Sequence, residues 1–450
     1  MDNPIPQQPG QTPGLIQRNK NLIKGFMISF LILALLIPTF FITDLIRERQ
    51  YRNEEVKKEI SAQWGNEQTL SGPVLVIPYL QPEKSDDGKI SKNKRHAFFL
   101  PDVLNVTGSL TPEYRARSTI FKLIVYTSNL KLNGSFNQIP FTKLGIPLED
   151  LLLSEAFMVY SISDYTGIQQ QLKLDWDGKY YDYNPGGNSV SIFEKNLHTL
   201  LPLNAEDLSK PHTFSMNIQL RGSERIQFTP VGKSTEVNIN AKWPYPDFEG
   251  KTLPKYTIQD SSFQAGWKAF DLNREFPQQW KESQEIKLSG SDFGVHLIQP
   301  LDNYAKTSRT VKYAILVIML TFVIYFFIEV FQKKNVHAVQ YVLIGFALCI
   351  FYTLLLSISE YTSYPFAYIS SAAATILLIT LYTRSVFGSN QTAGIFGAFL
   401  TLLYVFIYIL IQLQDGALLT GSIGLFIILS AIMYFSRKID WNGSSTPVRK

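Results

Sequence analysis

A single cysteine, Cys349, stands in 450 residues, which excludes an internal disulfide framework, a C-x-x-C redox motif and a cysteine-ligated zinc site. Histidine is scarce as well. His96, His198, His212, His296 and His337 are spaced too far apart to pair as local metal ligands. H-E-x-x-H, G-x-S-x-G, the Walker A loop and the Rossmann glycine fingerprint are all missing. Asp292-Phe293-Gly294 spells a kinase triplet, but neither the glycine-rich loop nor the catalytic-loop motif accompanies it. No catalytic residue, metal ligand or cofactor-binding residue is assigned, and no cofactor is expected.

Charge is sparse and unevenly placed. Only 18% of residues are charged, with a net charge of +5. Residues 47–310 hold 31 basic and 31 acidic residues and are neutral; the remaining 11 basic and 6 acidic residues carry the whole excess. That excess lies in and around long apolar runs, so it gives no argument for a nucleic-acid partner, and none is expected.

Six apolar runs are long enough to cross a bilayer core about 30 Å thick, which takes roughly 20 helical residues. They are Gly25 to Ile46, Tyr313 to Phe331, Ala338 to Ser359, Pro365 to Tyr382, Ala393 to Leu413 and Ala417 to Phe435. Pro38 falls inside the first and should kink it. The first run is preceded by a long basic segment and followed directly by "RERQYRNEEVKKE", without a small-residue cleavage site, so it reads as an uncleaved anchor. Residues 1–14 are rich in Pro, Gln and Gly and read as a disordered tail. Gly394 with Ala398 and Ser370 with Ala374 are small-xxx-small pairs that let helices approach closely. Cys349 reads as a small apolar residue facing a neighbouring helix.

Lys and Arg in the short loops set the orientation. Arg18, Lys20, Lys24, Lys333, Lys334, Arg384, Arg437, Lys438, Arg449 and Lys450 all fall on one side, and Lys312 is the exception. The alternate loops, "EYTSY" and "QLQDG", hold no basic residue. Both termini are therefore expected to be cytoplasmic, with residues 47–310 facing outward.

Within that outward segment, Arg47 to Trp64 reads as a helical stalk, with Glu48/Arg52 and Glu54/Lys58 in favourable i,i+4 order. Period-two patterning and short apolar runs follow: "GPVLVIPY" reads as a buried-type strand after a Gly-Pro turn, and "STIFKLIVYTSNLKLNGSF", "AFMVYSIS", "TFSMNIQLRG" and "STEVNINAKW" as further strands. These strands predict a β-rich sandwich or two packed β subdomains. "KSDDGKISKNKR" at 84–95 reads as a solvated loop, and the aromatic clusters "WPYPDFEG" and "FQAGWKAFDL" as core or edge packing rather than a ligand cage.

The segments "SGPVLVIPY", "FTPVGKSTEVNINAKWPYPDFEGKTLP", "FQAGWKAFDLNREFPQQW", "KYAILVIMLTFVIYFFIEV", "HAVQYVLIGFALCIFYTLLLSISEY" and "RKIDW" resemble, in order, the CreD family of bacterial inner-membrane proteins. The likeness runs from about Leu22 to Trp441. Where the family reads His-Pro-Met-Gln-Tyr, this chain has His337-Ala338-Val339-Gln340-Tyr341, so the proline is lost from a helix start. The resemblance implies inner-membrane location, an outward domain after the first span and a link to envelope stress. It implies no defined reaction.

The expected architecture is a membrane protein of six transmembrane α-helices with a large β-rich extracytoplasmic domain inserted between helices 1 and 2. Its parts are a cytoplasmic tail (1–24), transmembrane helix 1 (25–46), a β-rich periplasmic domain with helical stalk (47–310), a five-helix bundle (311–436) and a second cytoplasmic tail (437–450). The expected function is a non-enzymatic role in cell-envelope integrity or stress response. The alternatives are a transporter or export component and an envelope-modifying enzyme with an unrecognised site on the outer domain. Expected partners are the lipid bilayer and an envelope component on the periplasmic side, and the sequence leaves the oligomeric state open.

Candidate polar positions are Glu329, Glu360, His337 and Gln340. Glu329 stands four residues before Lys333, an interfacial pair worth at most about 1 kcal/mol where water reaches it. Glu360 has no basic residue in its own loop, so its partner must come from elsewhere, with Lys312 or the outer domain as candidates. In a Cys349→Ser background, cysteines at Ser85, Asn188 and Ser283 are expected to react with an impermeant maleimide in spheroplasts. Cysteines at Gln8 and Ser445 should react only after lysis. Reversed labelling overturns the orientation.

Overall fold

The computed structural model describes residues 20–84, 90–117, 120–186, 192–193, 195–298, 303–413 and 416–437. Residues 1–19 of the expected N-terminal tail and the labelling positions Gln8, Ser85, Asn188 and Ser445 lie outside them, whereas residues 20–24 already belong to the first helix. The chain divides into two compact units, residues 1–52 with 301–450, and residues 53–300.

The helical unit is built from α1 (Lys20–Trp64, continued into the other unit), α2 (Asn303–Lys312), α3 (Ala314–Phe331), α4 (Ala338–Ser359), α5 (Tyr364–Phe387), α6 (Asn390–Gln412) and α7 (Ala417–Ser436). Among the described residues, six helices are long and apolar enough to cross a membrane. Their ends follow local chemistry. Pro365 sits in the first turn of α5, where its missing N–H costs nothing, and Gly388 ends that helix at φ 65°. Ser389 then caps α6 by accepting from the Thr392 N–H.

Within the helical unit, the buried residues of α1 are Ile28, Leu35, Thr39, Ile42 and Ile46, spaced by seven, four, three and four as one narrow stripe. Leu35 meets α4 at Gly345, where an added Cβ would stand 2.2 Å from the leucine side chain. The rest of the helix turns Phe26, Phe30, Leu33, Phe40 and Phe41 outward. The close-packing pairs expected from the sequence are displaced. Gly394 meets open space, whereas Gly397 is the glycine pressed against Thr380 of α5. The helical period explains the shift: the buried stripe of α6 runs through Ala393, Phe396, Gly397 and Leu400. Cys349 is buried, on a face near Pro38 and Ile42 of α1.

The β unit holds two sheets. The first orders its strands β13-β17-β11-β1-β5-β9-β8, with β2 also pairing β1 and β16 pairing β2. The second runs β14-β15-β12-β3-β4-β10-β6-β7. Their ranges are β1 Gln68–Lys84, β2 Ile90–Phe99, β3 Val103–Ala116, β4 Lys122–Phe136, β5 Phe157–Ile162, β6 Lys173–Trp176, β7 Lys179–Asp182, β8 Asn184–Pro185, β9 Leu197–Leu200, β10 His212–Ser223, β11 Arg225–Phe228, β12 Ser234–Ala241, β13 Pro246–Gly250, β14 Lys255–Gln259, β15 Ser262–Phe270, β16 Gln279–Lys281 and β17 Phe293–Leu297. Among the described residues, only β1–β11 and β3–β12 pair in parallel.

Alternation is strict where one face is wet. In β12, Val237, Ile239 and Ala241 point inward while Glu236, Asn238 and Asn240 are exposed. Val74 to Ile77 of β1 are all buried, as in a strand covered on both faces. Inward residues of both sheets join one hydrophobic core, so the unit is a sandwich. The aromatic clusters divide between core and edge: Trp267 stacks on Phe293 with centroids 5.9 Å apart and Phe248 meets both Trp267 and Phe263, while Tyr245 and Phe270 are exposed.

The expected loop at 84–95 is a correction. Residues 90–95 belong to β2, which pairs β1 from Leu75↔Phe99 to Lys84↔Ile90. The far end of this ribbon is solvated, so it shows no alternation and reads as loop. Cross-strand polar pairs hold it: Arg95 with Glu83 at 2.6 Å, and Asn93 with the same carboxylate.

Arg274 is a buried cation tied to neutral acceptors. It donates to the Phe276 carbonyl at 2.5 Å, to those of Pro277 and Val231, and to Gln278, and burial pushes its pKa down to about 10.

The end of α1 completes the β unit. Trp64 covers Leu123 and Val125 with help from Ile60, and its ring lies between the guanidinium groups of Arg115 at 3.6 Å and Arg221 at 4.1 Å. Residues 53–300 expressed alone should therefore fold as a soluble β-rich unit, and Trp64→Ala should cost about 3 kcal/mol in it. Urea titration followed by circular dichroism reads both. A mainly helical spectrum, or an unchanged midpoint for the variant, contradicts the assignment.

Candidate functional site

Two carboxylates in the helical unit stand at helix C-termini, the place where the helix dipole disfavours an anion. Glu329 lies in the last turn of α3, and Glu360 is the residue that ends α4. The 22 residues of α4 separate them by about 33 Å of helical rise.

Glu329 is 3% exposed. It pairs with Lys24 of α1, accepts from the Val336 N–H at 2.8 Å, and accepts from the Tyr341 hydroxyl at 2.9 Å. One side chain thus ties α1, α3, the α3–α4 connection and α4. The expected pair with Lys333 is not the one formed. The α3 helix stops at Gln332, and Lys333 turns into the left-handed region at φ 53°, which takes its side chain off the i,i+4 ridge.

His337 and Gln340 sit beside this junction as a reciprocal cap of α4. His337 Nδ1 accepts from the Val339 N–H at 3.4 Å, and Gln340 Oε1 accepts from the His337 N–H at 3.1 Å. The helix therefore starts without the proline at 338. Two further contacts close the same end: Gln332 donates to Thr392 of α6, and Lys334 donates to the Phe387 carbonyl at the end of α5.

At the other end, Glu360 Oε1 lies 3.8 Å from Arg49 Nε of α1 and accepts from the Tyr304 hydroxyl of α2 at 3.2 Å. Asn303 donates to the carbonyls of Ser359 and Thr362 at 2.6 and 3.1 Å, holding the α4–α5 turn. The partner of Glu360 is thus Arg49, from the start of the 47–310 segment that was one of the two expected sources, and not Lys312. Both cations come from α1, 25 positions apart, and they continue the buried stripe at either end. Sequence reading used Lys24 for orientation and Arg49 not at all; their position on the stripe Ile28, Leu35, Ile42 was the available signal.

Hydroxyls line the interior between these ends. Tyr325, Tyr352, Ser371 and Tyr404 are buried and have no hydrogen-bond partner among the described residues. A cleft of about 720 Å³ lies between α5 and α6, lined by Tyr368, Ala372, Ile376, Thr380, Gly397 and Tyr404.

In the β unit, two groupings bear on ligand chemistry. Asp247, Glu249 and His296 offer donor atoms that all lie within 4.8 Å of one another. Arg225 engages Glu249 at 3.0 Å, so a metal would have to displace a guanidinium. His212 is buried against Trp176, with Nδ1 2.6 Å from Asp177 and Nε2 2.7 Å from the Asp207 carbonyl. Burial pushes the Asp177 carboxyl up, but hydrogen bonds from His212 and Thr213 outweigh it and hold the pKa below the ordinary range. Each grouping already satisfies itself.

The Glu329 junction gives a directional test. Lys24→Met leaves a buried charged carboxylate unpaired, which costs about 3 kcal/mol. Glu329→Gln should cost less, because Lys24 is 18% exposed and its stem reaches water. The double variant should lose less than the sum. Denaturant titration in detergent measures all three, and strictly additive losses contradict the pairing.

A family model described as "Inner membrane protein CreD" matches residues 20–442. Inner membrane protein CreD of Escherichia coli strain K12 is 29% identical over 425 residues, 93% of each chain. Among solved structures, an M1 zinc metallopeptidase of Deinococcus radiodurans matches at TM-score 0.21 and 8% identity, over 44% of this chain and 42% of its own. A nutrient-binding-type protein of Legionella pneumophila, so titled, matches at 0.24 and 6%, over 56% and 80%. At these scores neither likeness carries an argument.

Proposed function

The chain belongs to the CreD family of inner membrane proteins, and on that footing we propose that it supports or responds to the state of the cell envelope without catalysing a reaction. It is a multi-pass inner-membrane protein in contact with the lipid bilayer. The finer placement, both termini cytoplasmic and residues 47–310 periplasmic, follows from the one-sided distribution of Lys and Arg. An envelope component on the periplasmic side is the proposed partner.

The observation that carries this reading is the use made of the two carboxylates. Glu329 and Glu360 are committed to donors within the helical unit, Lys24 and Tyr341 for one, Arg49 and Tyr304 for the other. Ion-coupled carriers keep such groups near the midplane, free to exchange a proton or ion. These close a bundle instead. A second reading, a transport or export component, draws on the unpartnered hydroxyls of Tyr325, Tyr352, Ser371 and Tyr404, which would favour a polar path through the helices.

The contact of Glu360 is the looser of the two, since Arg49 is 3.8 Å away and 46% exposed. Glu360→Gln should therefore impair envelope function in a deletion strain more than Glu329→Gln, compared at equal membrane abundance. Wild-type complementation by both variants would leave the carboxylates with a purely structural role. Crosslinking from residues 47–310 in intact cells separates the readings: an envelope component supports the first, and a translocated cargo the second.

A further inference from the structure

The outermost strands of the two sheets are β13, β8 and β16 in the first and β14 and β7 in the second. A free edge invites pairing with another strand, and most of these edges are blunted against it. β13 starts at Pro246, which has no N–H to donate, and carries Asp247 and Glu249. β8 is two residues ending in Pro185, and β16 is three residues. β7 has a charge at each end, with Asp182 already 3.7 Å from Lys173. β14 differs. Its five residues, Lys255-Tyr256-Thr257-Ile258-Gln259, hold one charge and no proline, and all five are exposed. Among the described residues, β14 pairs with β15 alone.

The core-side face of this strand is left open. Tyr256 and Ile258 stand opposite Ala265 and Phe263, which are buried. Residues paired across two strands share a face, yet Tyr256 is 56% exposed and Ile258 47%. β14 therefore overhangs the core. Phe248 of the first sheet meets Tyr256 with ring centroids 4.8 Å apart, and Ile258 lies further out along the strand.

The hairpin decides which backbone groups are free. β14 and β15 are joined by the two-residue turn Asp260-Ser261, so Gln259 and Ser262 close it and exchange both hydrogen bonds. The alternate pairs Thr257–Gln264 and Lys255–Gly266 do the same. The N–H and C=O groups of Tyr256 and Ile258 therefore point away from β15, along the free edge. A second β14 running antiparallel matches this edge. With a two-fold axis at Thr257, Tyr256 of each copy meets Ile258 of the other, and each such pair exchanges both hydrogen bonds. Every outward backbone group of both strands is then satisfied. Thr257 meets Thr257, and Lys255 meets Gln259. Aromatic on β-branched and Thr on Thr are favourable cross-strand pairs, and no like charges stand opposite. The same operation on β13 sets Asp247 against Glu249, which is repulsive.

We propose that β14 is a self-pairing edge, which joins two copies of this chain through one antiparallel strand pair and covers Tyr256 and Ile258 of both. The contact is smaller than a standard interface, so the two copies exchange readily and a covalent trap reads the pairing best. The inference does not depend on the envelope role.

The test uses the full-length chain in isolated membranes, with Cys349→Ser as background. Thr257→Cys sets two thiols opposite each other with Cβ atoms about 4.5 Å apart, close to disulfide distance. Copper-phenanthroline oxidation should convert it to a dimer on non-reducing gels. Lys255→Cys alone should give at least tenfold less dimer, because its two copies lie about 14 Å apart in this register. Lys255→Cys co-expressed with Gln259→Cys should crosslink again. Tyr256→Lys with Ile258→Lys, added to Thr257→Cys, should cut the dimer at least tenfold while the circular dichroism spectrum is kept. Absence of a Thr257→Cys dimer overturns the proposal, as does equal crosslinking by Lys255→Cys or by Tyr180→Cys on β7, which marks random collision. An undiminished dimer in the double-lysine variant overturns it too. A Thr257→Cys adduct with a different protein in place of the dimer overturns self-pairing and assigns the edge to that protein.

Discussion

A carboxylate at the C-terminal end of a helix meets the negative end of the dipole, and in a low-dielectric bundle that conflict must be relieved by a cation. The helical unit contains this arrangement twice. Lys24 answers Glu329 and Arg49 answers Glu360, and both cations belong to α1. The distance between the two on α1, about 38 Å at 1.5 Å per residue, exceeds the hydrocarbon thickness by little more than one turn. The register of α1 against α3 and α4 is thereby pinned at both ends, with Leu35 against Gly345 near the middle. A slip of one turn would break both pairs and drive Leu35 off its glycine.

The β unit solves a different problem. Most of its strand pairings join segments distant in the chain, antiparallel ones such as β4–β10 and β11–β17 as well as the parallel pairs β1–β11 and β3–β12, and together they enclose one core between two sheets. With the inner faces spent on that core, the outer faces are free to vary. The β1–β2 ribbon uses its exposure for ion pairs. The outer face of the second sheet mixes amides and hydroxyls with Glu236, Lys255, Lys131 and Lys268, and Asn238 donates to Glu236 there.

Much of this architecture is legible in the chain. Apolar runs located every membrane-length helix, because a span has to be apolar nearly all round. Period two located β10 and β12, and short apolar runs located β1 and β5, which are buried on both faces. What escaped was pairing over distance. The end of α3 hid the fate of Glu329: the i,i+4 rule assumes that the helix continues to Lys333, and it does not. Gly394 was the apparent packing glycine because spacing cannot say which stripe faces inward, whereas Gly397 shares its stripe with Phe396 and Leu400. The polar ribbon at 90–95 read as loop because both its faces are wet. The glutamates, His337 and Gln340 could be picked out as polar residues at helix ends, but their partners lie up to 305 residues away.

That separation has a consequence for biosynthesis. Chains grow from the N-terminus at about 5–20 residues per second, so Lys24 is made roughly 15 to 60 seconds before Glu329. Throughout that interval the first span has neither of its counter-charges and no neighbour for Leu35. It must be retained as a solitary hydrophobic helix, and its ring of outward phenylalanines, Phe26, Phe30, Phe40 and Phe41, suits it to do so. Only when the ribosome has passed Glu360 are both ends available to lock. A chain that stops before Glu360 therefore leaves Arg49 without its carboxylate, and one that stops before Glu329 leaves both cations of the first helix without theirs.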